Sequence, residues 1–377
     1  MNSISILYIG TDSGTSRHRA LSLSRLGHNV QTLDPHSLLP SGRLTAYWKY
    51  HTGSYGLERF IRARVLGAIR SAKFDLVWVD AGDLISPEII RDLKQQARFV
   101  INYNVDDPYG PRDGNKWRLY LRSVPFYDLV VVVRDCNVAE AFKAGARDVL
   151  RVHRSSDEVA HAPRKLSPSD LAKWGSEVVF IGTWMPERGP FLARLVERCV
   201  PLSIWGNRWS KAKEWPILRP HWRGPGLDTN TVDDYARALQ CAKVCIGLLS
   251  KENRDLCTQR SFEIPRLGGV LCAERTSEHL ALYAEDVEAV FWNDPDECAE
   301  KCKRLLNDAI WRNQVAQKGQ LRAIQNGTSN ETVMNQIISK VFDSMRAEQR
   351  QSSSVKTRPV AAMFLRPHFL NRIWRRI

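Results

Sequence analysis

Two acids eight residues apart, Asp255 and Glu263, stand among the bases Arg254 and Arg260 in the stretch NRDLCTQRSFEIPRLGGVLCAERTSEH, Asn253 to His279. A carboxylate can accept two hydroxyl donors at once, and a guanidinium grips phosphate or carboxylate oxygens in pairs. The stretch follows an apolar run, Val244 to Leu249, of the kind that forms a buried strand. Phe262, Ile264 and Leu267 give its middle an apolar face. Gly268-Gly269 closes it, and Val270 to Ala273 begins a second apolar run. The pattern predicts strand, loop, helix, glycine stop and strand. That is one step of a parallel α/β sheet, whose ligands bind at the carboxyl ends of the strands. Glu263 falls near the helix start, where a carboxylate is electrostatically favoured, and Asp255 falls in the loop before it. Both can face one cleft. The same two residues also suit an ordinary first-turn acid and loop acid.

Four other constellations have the right residue types. The strand Phe99 to Tyr103 runs into NVDDPYG, with Asp106 and Asp107 held by Pro108 and Gly110. A carboxylate there faces the crevice of a parallel sheet and can act as a general base or hold a hydroxyl. Asp-Asp-Pro is equally a favoured turn. It is not an Asp-x-Asp pair, so no metal site is expected. The segment VVFIGTWMPERG places Thr183 and Arg188 between strand-ending Gly182 and a helix from Gly189. A cation beside a helix N-terminus suits a diphosphate, although a plain surface arginine would look the same. The first strand, SISILYIG, ends at Gly10. The loop after it offers Ser13, Gly14, Thr15, Ser16 and Arg17 to a phosphate or sugar hydroxyl. The spacing Gly10-x3-Gly14 is not GxGxxG, so a nicotinamide site is not indicated. PLSIW is followed by Gly206-Asn207-Arg208-Trp209, a loop on which a flat base can stack.

The elements that must position these residues alternate strand and helix in two halves. At 377 residues, two domains are the default. A polar segment with Pro163, Pro168 and Gly175 separates them near residue 165. The expected division is 1–165, then 176–347 ending in a helix from Glu331 to Ala347, then a tail, 351–377. Leu38 to Ser54 is aromatic and polar and reads as an irregular insertion near the cleft, a candidate acceptor loop. Gln351 to Pro359 reads as a linker.

The formal net charge is +14. Residues 346–377 hold eight Lys/Arg against one acid, half of that excess. A basic body suits an anionic ligand such as a nucleoside diphosphate. The tail's Phe364, Phe369, Ile373 and Trp374 among arginines suit an anionic membrane face, and a disordered or back-packed tail is the plainer alternative. A nucleic-acid partner is not expected, because half the charge lies in the tail and no recognition motif is present. No apolar run reaches membrane-spanning length and no signal segment opens the chain. The expected location is the cytoplasm, with the tail peripheral at the inner membrane face. The eight cysteines read as reduced structural thiols. The pairs Cys241/Cys245 and Cys298/Cys302 have the spacing of one helix face rather than of a zinc knuckle.

The pieces FIGTWMPERG, SIWGNRW and RDLCTQRSFEIPRLGG, in this order, resemble the CgeB-like glycosyltransferases, a branch of the GT-B superfamily. The resemblance spans about 175–325, and DDP is similar to an N-terminal feature of that family. It implies a GT-B α/β fold, two Rossmann-like doubly wound domains facing across a cleft. The second would hold a nucleotide-sugar donor, such as a UDP-sugar, and the first an acceptor. Glu263 matches the second acid of the Glu-x7-Glu motif of related retaining enzymes, a ligand of the donor ribose, and Asp255 stands at the first with one methylene fewer. Arg188 matches a lysine that neutralises the leaving diphosphate. Thr183 replaces an arginine, so Arg260 or Arg254 would supply the second cation. Gly14, Gly182 and Gly206 would lie along the donor. Asp106 or Asp107 would be the base in an inverting reaction or position the acceptor in a retaining one. The implied activity is hexosyl transfer to a hydroxyl of a glycan or lipid-linked acceptor, in cell-surface polysaccharide synthesis and without a metal cofactor. A non-catalytic sugar-nucleotide or glycan-binding protein on the same fold is the alternative.

Overall fold

The computed structural model describes residues 3–40, 42–69, 72–227 and 232–356. Apolar runs become strands buried on both faces, as helices packed on both sides of a parallel sheet require. In β1 (Ser5–Ile9) and β3 (Phe74–Asp80), Leu7, Ile9, Val77 and Val79 face one core layer. Ile6, Tyr8, Leu76 and Trp78 face the other. This is the two-residue alternation of a pleated strand. β2 (Asn29–Leu33), β4 (Ala97–Asn104), β5 (Leu129–Val132) and β6 (Val149–Arg151) complete the first sheet. β7 (Ser176–Ile181), β8 (Leu202–Trp205), β9 (Trp222–Gly224), β10 (Ala242–Gly247), β11 (Leu271–Glu274) and β12 (Val290–Trp292) form the second.

The orders are β2-β1-β3-β4-β5-β6 and β12-β11-β10-β7-β8-β9, and every pair is parallel. Each sheet starts at an inner strand, β1 or β7, winds outward one way, then returns and winds the other. The reversal falls between β1 and β3 in one sheet and between β7 and β10 in the other. Loops leaving neighbouring strands in opposite directions open a crevice there, the usual ligand position in such folds. Among the described residues no helix is long and apolar enough to cross a membrane.

Three expectations change. The helix Asn330–Lys356 does not pack with the second sheet. Val333, Met334, Ile337, Ile338 and Val341 lie on one stripe and bury against Ile6, Leu23, Ile101 and Val131 of the first half. Its start is pinned there by Ser155 Oγ donating to Asn330 Oδ1 (2.6 Å) and Arg25 Nε donating to Glu331 (2.6 Å). An apolar stripe shows that a helix is buried but not on which layer. The helix also continues through Gln351 to Lys356, where a linker was expected; residues 357–377 of the basic tail lie outside the described residues. Second, Leu38 to Ser54 is not irregular, since Arg43–Thr52 is a helix bounded by Gly42 and by Gly53 at φ 59°. It buries no side chain, so no apolar period exists to reveal it. Third, Cys241 and Cys245 do not share a helix, since Cys245 lies in β10. Cys298 and Cys302 do share one, Pro295–Asn307. Their sulfurs and that of Cys272 lie within 4.8 Å of one another in the second core.

Candidate active site

At the β7/β10 reversal, Arg188 opens the helix Arg188–Glu197. Its side chain turns back beneath the loops that follow both strands. Nη1 donates to the carbonyl of Thr183 (2.9 Å) and Nη2 to those of Leu248 and Leu249 (both 3.4 Å). Arg188 is 8% exposed, its Nε has no partner, and among the described residues no carboxylate pairs with it. Burial, and then Arg260 and Arg112, bring its pKa down to about 10 against the pull of Glu187. A buried cation held by carbonyl oxygens and by the Phe180 ring, 5.6 Å from its centroid, lacks the countercharge that desolvation calls for.

The expected neighbours of Arg188 have other work. Thr183 contributes its carbonyl rather than its hydroxyl. A Cβ on Gly206 would lie 1.9 Å from the carbonyl oxygen of Gly182, so these glycines let the loops after β7 and β8 cross. Trp209 is not a stacking platform for a base. It is buried in the second core, with its indole donating to Gly182 O (3.0 Å).

Glu263 falls in the first turn of the helix Arg260–Arg266, as its position in the sequence predicts. It is only 1% exposed, so its expected contact with a donor ribose is closed in this structure. One oxygen accepts from the Tyr235 hydroxyl and from Arg260 Nη1 (2.7 Å). The other faces His161 Nε2 at 3.3 Å. His161 Nδ1 accepts from the Asp157 amide (2.8 Å), which leaves the ring proton on Nε2, directed at Glu263. Burial pushes the Glu263 carboxyl up, but His161 and Arg260 outweigh it and hold the pKa below its ordinary 4.5. Glu263 thus orients Arg260, whose side chain is 26% exposed. A depressed folded-state pKa stabilises fully above the unfolded value, and that contribution is lost as pH falls through the folded one. Glu263→Gln should be less stable than the native chain at neutral pH. The gap should narrow as pH falls from 4.5 downward, read as urea midpoints across that range.

Asp255 and Asp107 join the two halves. Asp255 Oδ1 accepts from Arg134 Nε (2.9 Å) and Nη2 and from Arg154 Nη2 (2.9 Å). Arg134 Nη1 also donates to the carbonyls of Val105 (3.1 Å) and Asp106 (2.8 Å), fixing the Asp-Asp-Pro turn. Asp107 accepts from Arg254 Nε (2.7 Å) and Nη2 (2.8 Å) and from Asn137 (2.9 Å). Burial raises its carboxyl, but Arg254 and Asn137 prevail and lower it. Arg112 Nη1 to Ser250 Oγ (2.6 Å) and Arg151 Nη2 to Glu278 (2.6 Å) extend the seam. In this structure Asp255, Asp107 and Arg254 are therefore engaged in pairing the two halves across the seam. Of the three expected catalytic acids, Asp106 alone keeps an accessible carboxylate. Its side chain is 41% exposed, and Lys116 Nζ stands 3.8 Å away.

Residues 188–339 match the model of a family described as glycosyl transferase-like. No curated protein matches the chain by sequence. Among solved structures it is similar to HepE of Anabaena in complex with UDP-glucose, with 13% identity, a TM-score of 0.63, and 90% of this chain and 100% of that one covered. It is similar also to sucrose-phosphate synthase of Thermosynechococcus elongatus (13% identity, TM-score 0.62, 91% and 99% covered). Trehalose 6-phosphate synthase of Burkholderia multivorans is a third (11% identity, TM-score 0.59, 92% and 100% covered). The fold is GT-B.

The first sheet of this GT-B chain holds the second crevice, at β1/β3. Gly10 ends β1, and a Cβ there would meet Ser16 Oγ at 2.7 Å and Asp80 Cβ at 2.9 Å. Gly14, at φ 53°, opens the helix Gly14–Arg25. Beneath this loop Arg19 holds Asp80 through Nε (2.8 Å) and Nη2 (3.0 Å), with the Tyr8 hydroxyl on the same carboxylate. Asp83, just past β3, sits 3.2 Å from His36 Nε2. Sequence reasoning missed Asp80, Arg19 and the Asp83–His36 pair. The one available signal was an acid ending the otherwise apolar strand FDLVWVD.

Proposed function

We propose that this chain is a glycosyltransferase, moving a hexosyl group from a nucleoside diphosphate sugar to a hydroxyl of a glycan or lipid-linked acceptor. The observation that carries this reading is Arg188, a buried guanidinium without a carboxylate at the reversal point of the second sheet. The glycosyl transferase-like match begins at that residue. The CgeB-like resemblance of 175–325 supports the same reading, and HepE, solved with UDP-glucose, makes UDP the first base to try. A surface polysaccharide assembled on the cytoplasmic side is the setting that resemblance suggests.

In the reaction the bond from the sugar's anomeric carbon to the diphosphate oxygen breaks. A new bond forms from that carbon to the acceptor oxygen, and the hydroxyl proton is released. Charge grows on the departing diphosphate, and donors already aimed at it stabilise the transition state more than the ground state. Arg188 and the start of its helix supply that field without a metal, and Arg260 provides a second cation. Asp106 accepts the proton in an inverting reaction and positions the hydroxyl in a retaining one.

The intact chain, incubated with UDP-, GDP-, ADP- and dTDP-sugars, should slowly release the nucleoside diphosphate from one of them, as water stands in for the acceptor. Binding with no release across the acceptors tried would instead make the chain a sugar-nucleotide-binding protein. Neither binding nor release with any donor would overturn the proposal.

A further inference from the structure

Most helical stability in proteins comes from burying an apolar face, yet the helix Arg43–Thr52 buries none of its side chains. Leu44, Tyr47, Trp48 and Tyr50 are 86, 64, 47 and 45% exposed. Tyr55 and Phe60 follow, so six of the nineteen large exposed apolar side chains among the described residues fall between positions 44 and 60. Such concentration on a surface marks an interaction site. The helix has no acid. Among the described residues Arg43 pairs with no carboxylate, nor do Arg59 and Arg64 just beyond, and the nearby Glu58 is taken by Arg118 at 2.5 Å. Tyrosine, tryptophan and leucine beside arginines that no carboxylate neutralises form the composition of a surface that lies in a lipid headgroup layer.

We propose that this helix docks on an anionic lipid bilayer, with Leu44, Tyr47 and Tyr50 entering the headgroup region and Arg43 meeting lipid phosphates. The helix is tied to the carboxyl edge of the first sheet. Lys49 Nζ lies 3.3 Å from His36 Nδ1, and Asn115 Nδ2 donates to the carbonyl of His51 (3.0 Å). Docking therefore brings the Asp83–His36 side of the crevice to the membrane, where a lipid-linked hydroxyl would be presented. The docking does not depend on the sugar-transfer reading, and its test uses no donor.

The full chain is sedimented with vesicles of phosphatidylcholine alone and of phosphatidylcholine mixed with phosphatidylglycerol. Binding to the anionic vesicles only, weakened by salt, is expected. Leu44→Ser/Tyr47→Ser/Tyr50→Ser should bind them roughly tenfold more weakly or less. Trp48 is kept in that variant because its indole donates to the carbonyl of Tyr55 (2.9 Å) and holds the following turn. Arg43→Ser should lose much of the salt-sensitive part. All four positions are exposed and outside the core, and circular dichroism confirms folding. Unchanged vesicle binding by both variants would place attachment elsewhere in the chain and overturn the proposal. So would native chain that ignores anionic vesicles, including the case in which it binds a soluble anionic polysaccharide through these residues instead.

Discussion

Arg188→Ala should lower kcat/KM for sugar transfer by about a hundred- to a thousandfold, the effect of removing one donor aimed at developing charge. Most of the loss should fall on kcat, because the guanidinium meets a diphosphate whose charge is greatest as the bond breaks. Thermal unfolding should barely move. Among the described residues Arg188 pairs with no carboxylate, and relief from burying an uncompensated cation offsets the hydrogen bonds lost to the carbonyls of Thr183, Leu248 and Leu249. Arg188→Lys should recover part of the rate, since lysine restores the charge but not the two-pronged geometry. Steady-state kinetics with the donor found in the screen, beside a melting curve for each variant, reads both effects. A large fall in melting temperature with an unchanged rate would assign Arg188 to structure.

The second large effect is on stability. Asp255→Ala leaves Arg134 and Arg154 without their shared carboxylate, in side chains only 6 and 10% exposed. Breaking a buried pair from one side costs about 3–5 kcal/mol. Because Arg134 also holds the carbonyls of Val105 and Asp106, the disturbance reaches the Asp-Asp-Pro turn. Asp106→Ala removes a half-exposed carboxylate with a distant cation, and should cost about 0.5 kcal/mol or less, while lowering transfer if that acid handles the acceptor hydroxyl. Urea unfolding of the two variants is the comparison. Similar midpoints would contradict the role of Asp255 as a seam residue.

Much of the fold is legible in the chain because it rests on local signals. Apolar runs, glycine stops and intervening amphipathic segments mark the strands, and their order marks two winding sheets. Arg188 is legible for the same reason, since a cation just inside a helix start after a strand is a local pattern. The pairing of Asp255 and Asp107 across the seam is not legible because their partners are remote. Arg134 lies 121 residues from Asp255, and Arg254 lies 147 from Asp107. A carboxylate awaiting a ligand and one already paired across a seam look identical in sequence. Gly182 and Gly206 are recognised as special, but their reason is the crossing of two loops, visible only once β7 and β8 are side by side. The Arg43–Thr52 helix escapes notice because it buries nothing, which is also what makes its surface informative.

Calorimetric titration of UDP, GDP, ADP and dTDP into the intact chain and into Arg188→Ala tests most directly whether Arg188 is a diphosphate site. At least one of the four should bind the native chain, its nucleoside should bind far more weakly, and the variant should lose about tenfold or more in affinity. Binding by none of the four, or binding that Arg188→Ala leaves unchanged, would contradict it.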